Sequence, residues 1–241
     1  MFELNKIKGI VFDYGGTIDS NGEHWAWVIW DAYTAHNVPV TQEQFKEAYV
    51  YAERYLATNR VIMPDDNFGV LLQKKIKLQV GYLFDKGFLT DETKREEYSI
   101  EISKQCYNFA KNIISREIPL LSSLKKQYPM VLVSNFYGNV QAVLQDFGLL
   151  DFFDHIVESA VVGVRKPDPR IFALGVEALG LPAEEIVVIG DSYDKDIVPA
   201  RKNGCKTIWL KGQGWGKDDD AATADVITTD FMELKDIFGL S

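Results

Sequence analysis

Asp13 stands directly after the apolar run Ile10-Val11-Phe12 and just before Gly15-Gly16. A short buried strand that ends on a carboxylate, with glycines that let the backbone turn at once, presents that carboxylate where ligands of parallel α/β sheets bind. Asp13 is therefore the candidate nucleophile. Two later apolar runs end in the same manner, Met130 to Val133 on Ser134-Asn135 and Ile186 to Ile189 on Gly190-Asp191. In a parallel sheet these ends share one edge, so Asp13, Ser134 and Asp191 can converge although they are far apart in sequence. The loop that carries Asp191 also holds Asp194 and Asp196. Carboxylates this close repel one another, and a hard divalent cation relieves the repulsion through oxygen ligands. Asp13, Asp191 and Asp196 thus form an expected Mg²⁺ site, with helix capping by Ser192 or Asp194 as another use of the same loop. Lys166 precedes Pro167-Asp168-Pro169. The two prolines stiffen the backbone just after it, which suits an ammonium that must point at an anion, while Arg165 reads as a solvated neighbour.

These groups need a scaffold, and the order of elements supplies one. The first strand is predicted over residues 6–12. Strand signals then nearly vanish for about a hundred residues. Helices are predicted from Glu23 to His36, from a capping box at Thr41 and Gln44 to about Leu56, from Asp65 or Asp66 to Lys86, and from Thr90 past Cys106. A separate short helix is expected over Leu120 to Gln127. After it, strands at Met130, His155, Ile186, Lys206 and Ala224 alternate with helices at Gly138 to Phe147, Arg170 to Leu179 and Asp196 to Asn203. Such alternation implies a Rossmann-like α/β core with a parallel, doubly wound sheet. The all-helical block is an insertion, so the expected organisation is a core of residues 1–18 and 117–241 with a helical cap over 19–116. Trp25, Trp27 and Trp30 are assigned to bundle packing in preference to a stacking surface for substrate.

Composition narrows the function. The chain has 241 residues, a net charge of −9 and 25% charged residues. With no basic excess to displace counterions, a nucleic-acid partner is not expected, and an anionic membrane is disfavoured on the same ground. No secretory leader or spanning run is read, and the expected location is cytoplasmic. Cys106 and Cys205 lack metal-ligand spacing and read as buried, reduced thiols. The glycines between Lys211 and Gly216 lead into Asp218-Asp219-Asp220 instead of a helix, and so read as a mobile loop, not a dinucleotide site.

Taken in order, Asp13-x-x-Gly16-Thr17, Ser134-Asn135, Lys166-Pro167-Asp168-Pro169 and Gly190-Asp191-Ser192-x-x-x-Asp196 resemble the haloacid dehalogenase-like hydrolase superfamily. The resemblance implies a Mg²⁺-dependent phosphatase that acts on a small phosphorylated metabolite through an aspartyl phosphate on Asp13. It implies that Ser134 and Lys166 serve catalysis, that Gly16, Thr17 and Asn135 bind substrate, and that Asp13, the Gly15 carbonyl, Asp191 and Asp196 hold the metal. One position departs from the pattern. The family's phosphatases carry a second aspartate, the acid/base, where this chain has Gly15. A displaced acid/base from Asp19, Glu23 or His24 is one answer. Others are a phosphate-binding or regulatory protein without turnover, and a dehalogenase or phosphonate hydrolase, the last requiring a cap lysine such as Lys46, Lys74 or Lys77.

Overall fold

The computed structural model describes residues 3–214 and 223–240. Its sheet has six parallel strands in the order β3-β2-β1-β4-β5-β6. They are β1 (Gly9–Phe12), β2 (Met130–Ser134), β3 (His155–Glu158), β4 (Ile186–Gly190), β5 (Lys206–Leu210) and β6 (Val226–Thr228). Successive side chains of a strand point to opposite faces, and both faces here are apolar. Ile10, Phe12, Met130, Leu132, Val187 and Ile189 join one buried cluster, and Val11, Val131, Val133, Ile186 and Val188 join another. The α/β, Rossmann-like architecture expected from the sequence is therefore present. β1 lies between β2 and β4, where the chain order along the sheet reverses. Phe12 pairs with both Leu132 and Ile189, which sets Asp13 within one residue of the level of Ser134 and Asp191.

Four helices follow β1: α1 (Trp25–Ala35), α2 (Gln42–Thr58), α3 (Phe68–Asp85) and α4 (Arg95–Lys125). The Thr41–Gln44 capping box opens α2 as expected. Asn67, not Asp65 or Asp66, caps α3 through a bond from the Val70 amide. The first strand is shorter than expected, because Leu4–Lys6 forms a 3₁₀ turn before it. A second correction concerns the helix predicted over Leu120 to Gln127. It is the end of α4, which runs unbroken for 31 residues with Pro119 inside it. Pro119 removes one backbone bond, but Ile114, Leu120, Leu121 and Leu124 continue the buried stripe, and tertiary packing holds the helix through it. Beyond β2 come α5 (Val140–Asp146), the single turn α6 (Ser159–Val162), α7 (Arg170–Leu179) and α8 (Val198–Lys202). Among the described residues no helix is long and apolar enough to cross a membrane. Cys106 and Cys205 are both buried and free, and burial pushes each thiol up to about 12.

Candidate active site

The carboxyl ends of β1, β2 and β4 form the floor of a cavity of about 430 Å³, whose other walls come from the inserted helices and from core loops at Phe136-Tyr137, Arg165 and Gly212 to Gly214. At the floor the Lys166 ammonium lies 2.6 Å from Asp13 Oδ1 and 2.7 Å from Asp196 Oδ1. Burial alone would lower the Lys166 pKa, but the two carboxylates outweigh it and hold the ammonium above its ordinary value. Asn135 fixes the lysine's backbone from both sides. Its amide nitrogen donates to the Lys166 carbonyl at 3.1 Å, and its oxygen accepts from the Lys166 amide at 2.9 Å. The Thr17 hydroxyl lies 3.0 Å from Asp13 Oδ2 and 3.3 Å from Asp191 Oδ1, and accepts from the Asp191 amide at 3.1 Å. Ser134 is buried at the tip of β2 and lines the same cavity.

Two glycines allow this density. Gly16 has φ +99°, and a Cβ there would fall 2.5 Å from an Asp191 carboxylate oxygen. A Cβ on Gly190 would meet the Asp196 side chain at 2.5 Å. Asp13, Asp191 and Asp196 can each offer an oxygen, all within 4.8 Å of one another. Loss of hydration, then the charges of Asp13 and Asp196, push the Asp191 carboxyl well above its usual range. Burial raises Asp196 to about 6 although Lys166 opposes the shift. Three carboxylates share one ammonium here, so negative charge is in excess, and an oxygen-loving divalent cation fits that imbalance.

The side chain nearest the missing side chain of Gly15 is Asp19. A Cβ built on Gly15 would stand 3.9 Å from Asp19 Oδ2, and Asp19 borders the cavity. Its Oδ1 accepts from the Gly16 amide at 2.7 Å and its Oδ2 from the Trp25 indole at 2.9 Å. Burial drives its carboxyl up to about 7, against the pull of those two bonds. Its two companions in the sequence reading differ. His24 caps α1, accepting from the Ala26 amide at 3.1 Å, and burial, then Lys195 and Lys75, lower its pKa to about 4. Glu23 is half-buried and does not line the cavity. Trp25 departs from its expected role as packing alone. It lines the cavity, meets Phe68 edge-on at 5.4 Å and donates to Asp19. Trp30 does pack within the bundle, against Phe45 at 5.2 Å.

The buried lysine of the helical wall is Lys75, not one of the three weighed from the sequence. Lys74 is paired with Asp66 and Lys77 with Glu96, whereas Lys75 forms an ion pair with Glu53 and borders the cavity. Burial works against its charge, but Glu53, Tyr137 and Tyr49 raise its pKa well above the ordinary value. Lys75 lies on the buried row Leu71, Lys75, Gln79, Leu83, and a charge on a buried helical face is the available signal. The glycine loop from Lys211 is described only to Gly214, and Trp215, Gly216 and Asp218 to Asp220 lie outside the described residues.

A parallel sheet, a carboxylate cluster and a buried lysine at one strand edge agree with the family comparison. The profile of the haloacid dehalogenase-like hydrolase family matches residues 7–204, and the chain belongs to that family. Two relatives illustrate the range. A glyceraldehyde 3-phosphate phosphatase of Methanocaldococcus jannaschii is 40% identical over 37% of this chain and 40% of its own length. A phosphoglycolate phosphatase of Pectobacterium atrosepticum is 24% identical over 100% of this chain and 96% of its own. The chain spans less than half the length of the more identical relatives. Among solved structures, a HAD-hydrolase from Bacillus subtilis bound to magnesium superposes with a TM-score of 0.58, at 21% identity, over 97% of this chain and 99% of that one.

Proposed function

We propose that the protein is a Mg²⁺-dependent phosphatase for a small phosphorylated metabolite, with Asp13 as nucleophile and Asp19 as the displaced acid/base. The observation that carries this reading is the position of Asp19, a buried carboxyl that borders the cavity beside Gly15 and that burial pushes up to about 7. Asp13 attacks phosphorus in line, forming the Asp13 O–P bond as the bond to the leaving oxygen breaks. Asp19 gives its proton to that oxygen, then takes one from the water that hydrolyses the aspartyl phosphate. Ser134 donates to the phosphoryl group, and Lys166 offsets the charge gathered between it and Asp13. Thr17 and Asn135 hold Asp13, Asp191 and Lys166 in place around the substrate, and the Gly16 turn lets Asp191 approach. Asp13, the Gly15 carbonyl and Asp191, with Asp196 behind them, would hold Mg²⁺, which supplies the positive charge that lets two anions meet. The helical segment 19–116 acts as a cap that excludes water from the floor formed by 1–18 and 117–241.

The same observations bear on the other members of the family. A Schiff base needs a neutral amine, and Lys75 is held as an ammonium by Glu53. That argues against phosphonate hydrolysis. The test is hydrolysis of an aryl phosphate with and without Mg²⁺, in the native protein and in Asp13→Asn and Asp19→Asn. Metal-dependent turnover lost in Asp13→Asn and slowed in Asp19→Asn supports the reading. Full activity in Asp19→Asn rejects the assignment of Asp19, and no turnover of any phosphate ester by the native protein rejects the phosphatase.

A further inference from the structure

Away from the active site, the helical insert carries a second concave surface, a groove of about 780 Å³ along the outer face of α2 and against Tyr82 of α3. Its lining is aromatic. Tyr51 stacks on Tyr82 at 4.7 Å and meets Tyr55 at 5.9 Å, yet it remains 39% exposed. Tyrosine is enriched where protein surfaces meet, because one side chain supplies both contact area and a hydroxyl. The phosphoryl chemistry uses none of these rings.

The charges on α2 indicate what covers the groove. Phe45, Ala48, Tyr49, Ala52 and Leu56 mark the buried face of the helix. At about 100° per residue, Glu47 and Arg54 lie almost directly opposite that face, about two turns apart on one line. Both are exposed. Val50 and Tyr51 flank the line at its midpoint, and all four residues border the groove. One end of the line is thus acidic and the other basic. Such a line complements a copy of itself that lies antiparallel, with a two-fold axis passing between Val50 and Tyr51. That axis sets each Glu47 against Arg54 of the other copy, twice over, and brings the two Tyr51 rings together between them. A parallel pairing would instead set like charges against each other at both ends. An anionic surface, whether nucleic acid or lipid, is repelled by Glu43 and Glu47, which line the same groove.

We propose that the outer face of α2 is a self-association surface, on which two copies of this chain pair antiparallel through their Glu47 and Arg54 charges and their Tyr51 rings. The inference does not depend on the phosphatase reading. A strip about 25 Å long and one helix wide falls short of the roughly 800 Å² per partner of a stable interface. The dimer is accordingly weak, with a Kd on the order of 10 µM.

Sedimentation velocity of the full chain over roughly 1 to 300 µM is the test. The expected result is a monomer–dimer equilibrium that weakens as salt is raised from about 50 to 500 mM. E47R sets like positive charges against each other and R54E like negative ones, so each alone should weaken association at least about tenfold. Mixing the two variants restores complementary pairs between chains, and the double variant E47R/R54E restores them between its own copies. Both should therefore associate within about threefold of the native protein. A variant that had merely unfolded would not regain a partner on mixing. A chain that stays monomeric throughout, a dimer indifferent to both single variants, or a mixture that fails to associate overturns the inference.

Discussion

At the sheet end of the cavity Asp13, Ser134 and Asp191 hang from the tips of three neighbouring strands, whereas at the helical end Glu53, Lys75 and Trp25 come from three different helices. At the floor, strand register sets the level of Asp13, Ser134 and Asp191, and side-chain bonds add to it, from Thr17 to Asp13 and Asp191 and between Asn135 and the Lys166 backbone. At the roof, Glu53 and Lys75 are joined across two helices by their ion pair and to the loop after β2 by the Tyr137 hydroxyl. On the proposed reading the two ends have separate duties, with the chemistry that tolerates little displacement on the sheet and substrate recognition on the helices.

Substitutions at the two ends should therefore differ in kind as well as size. Asp13→Asn should lower kcat by roughly a millionfold, the scale of removing a nucleophile, when steady-state hydrolysis of an aryl phosphate is followed. Asp19→Asn should lower kcat by about a hundredfold to ten-thousandfold; the rate of the native protein should decline as pH rises past about 7, and the variant should lack that decline. Asp19 also has a cost. Its folded-state pKa is raised, so the stability it contributes is full below pH 4 and is lost as pH rises through about 7. Asp19→Asn should consequently melt a few degrees above the native protein at pH 8 and no higher at pH 4, by calorimetry without metal.

Metal affects the floor more gently when stability is the readout. Mg²⁺ at about a hundred times its dissociation constant should add roughly 3 kcal/mol, visible as a rise of several degrees in melting temperature that EDTA reverses. Asp191→Asn should remove most of that rise. The smallest effect belongs to the roof. Tyr137→Phe removes one hydrogen bond to a charged acceptor, and KM for the preferred ester should increase about tenfold with kcat nearly constant. A fall in kcat equal to the rise in KM would show that the roof also positions the reacting atoms.

The two ends also differed in how well the sequence exposed them. Asp13, Ser134 and Asp191 were legible because each follows a continuous apolar run, and a parallel sheet brings such ends together whatever lies between them. Lys166 was legible through the prolines beside it. Lys75 was not, since helical periodicity marks a buried face without saying whether a charge on it is paired, exposed or aimed at a cavity. Asp19 was one of three neighbours with nothing in the sequence to separate them. Only the geometry distinguishes the carboxyl beside Gly15 from the imidazole that caps α1. The continuity of α4 through Pro119 escaped for a related reason, because local propensity argues for a break and tertiary packing overrides it.

Chemical trapping of the intermediate tests the floor most directly. Protein mixed with Mg²⁺ and acetyl phosphate, quenched in acid during turnover and mapped by peptide mass spectrometry, should carry a phosphoryl group on the peptide containing Asp13. The label should disappear in Asp13→Asn and accumulate in Asp19→Asn, where hydrolysis of the acyl phosphate is slowed. A label on any other residue, or continued turnover in Asp13→Asn, would contradict the account.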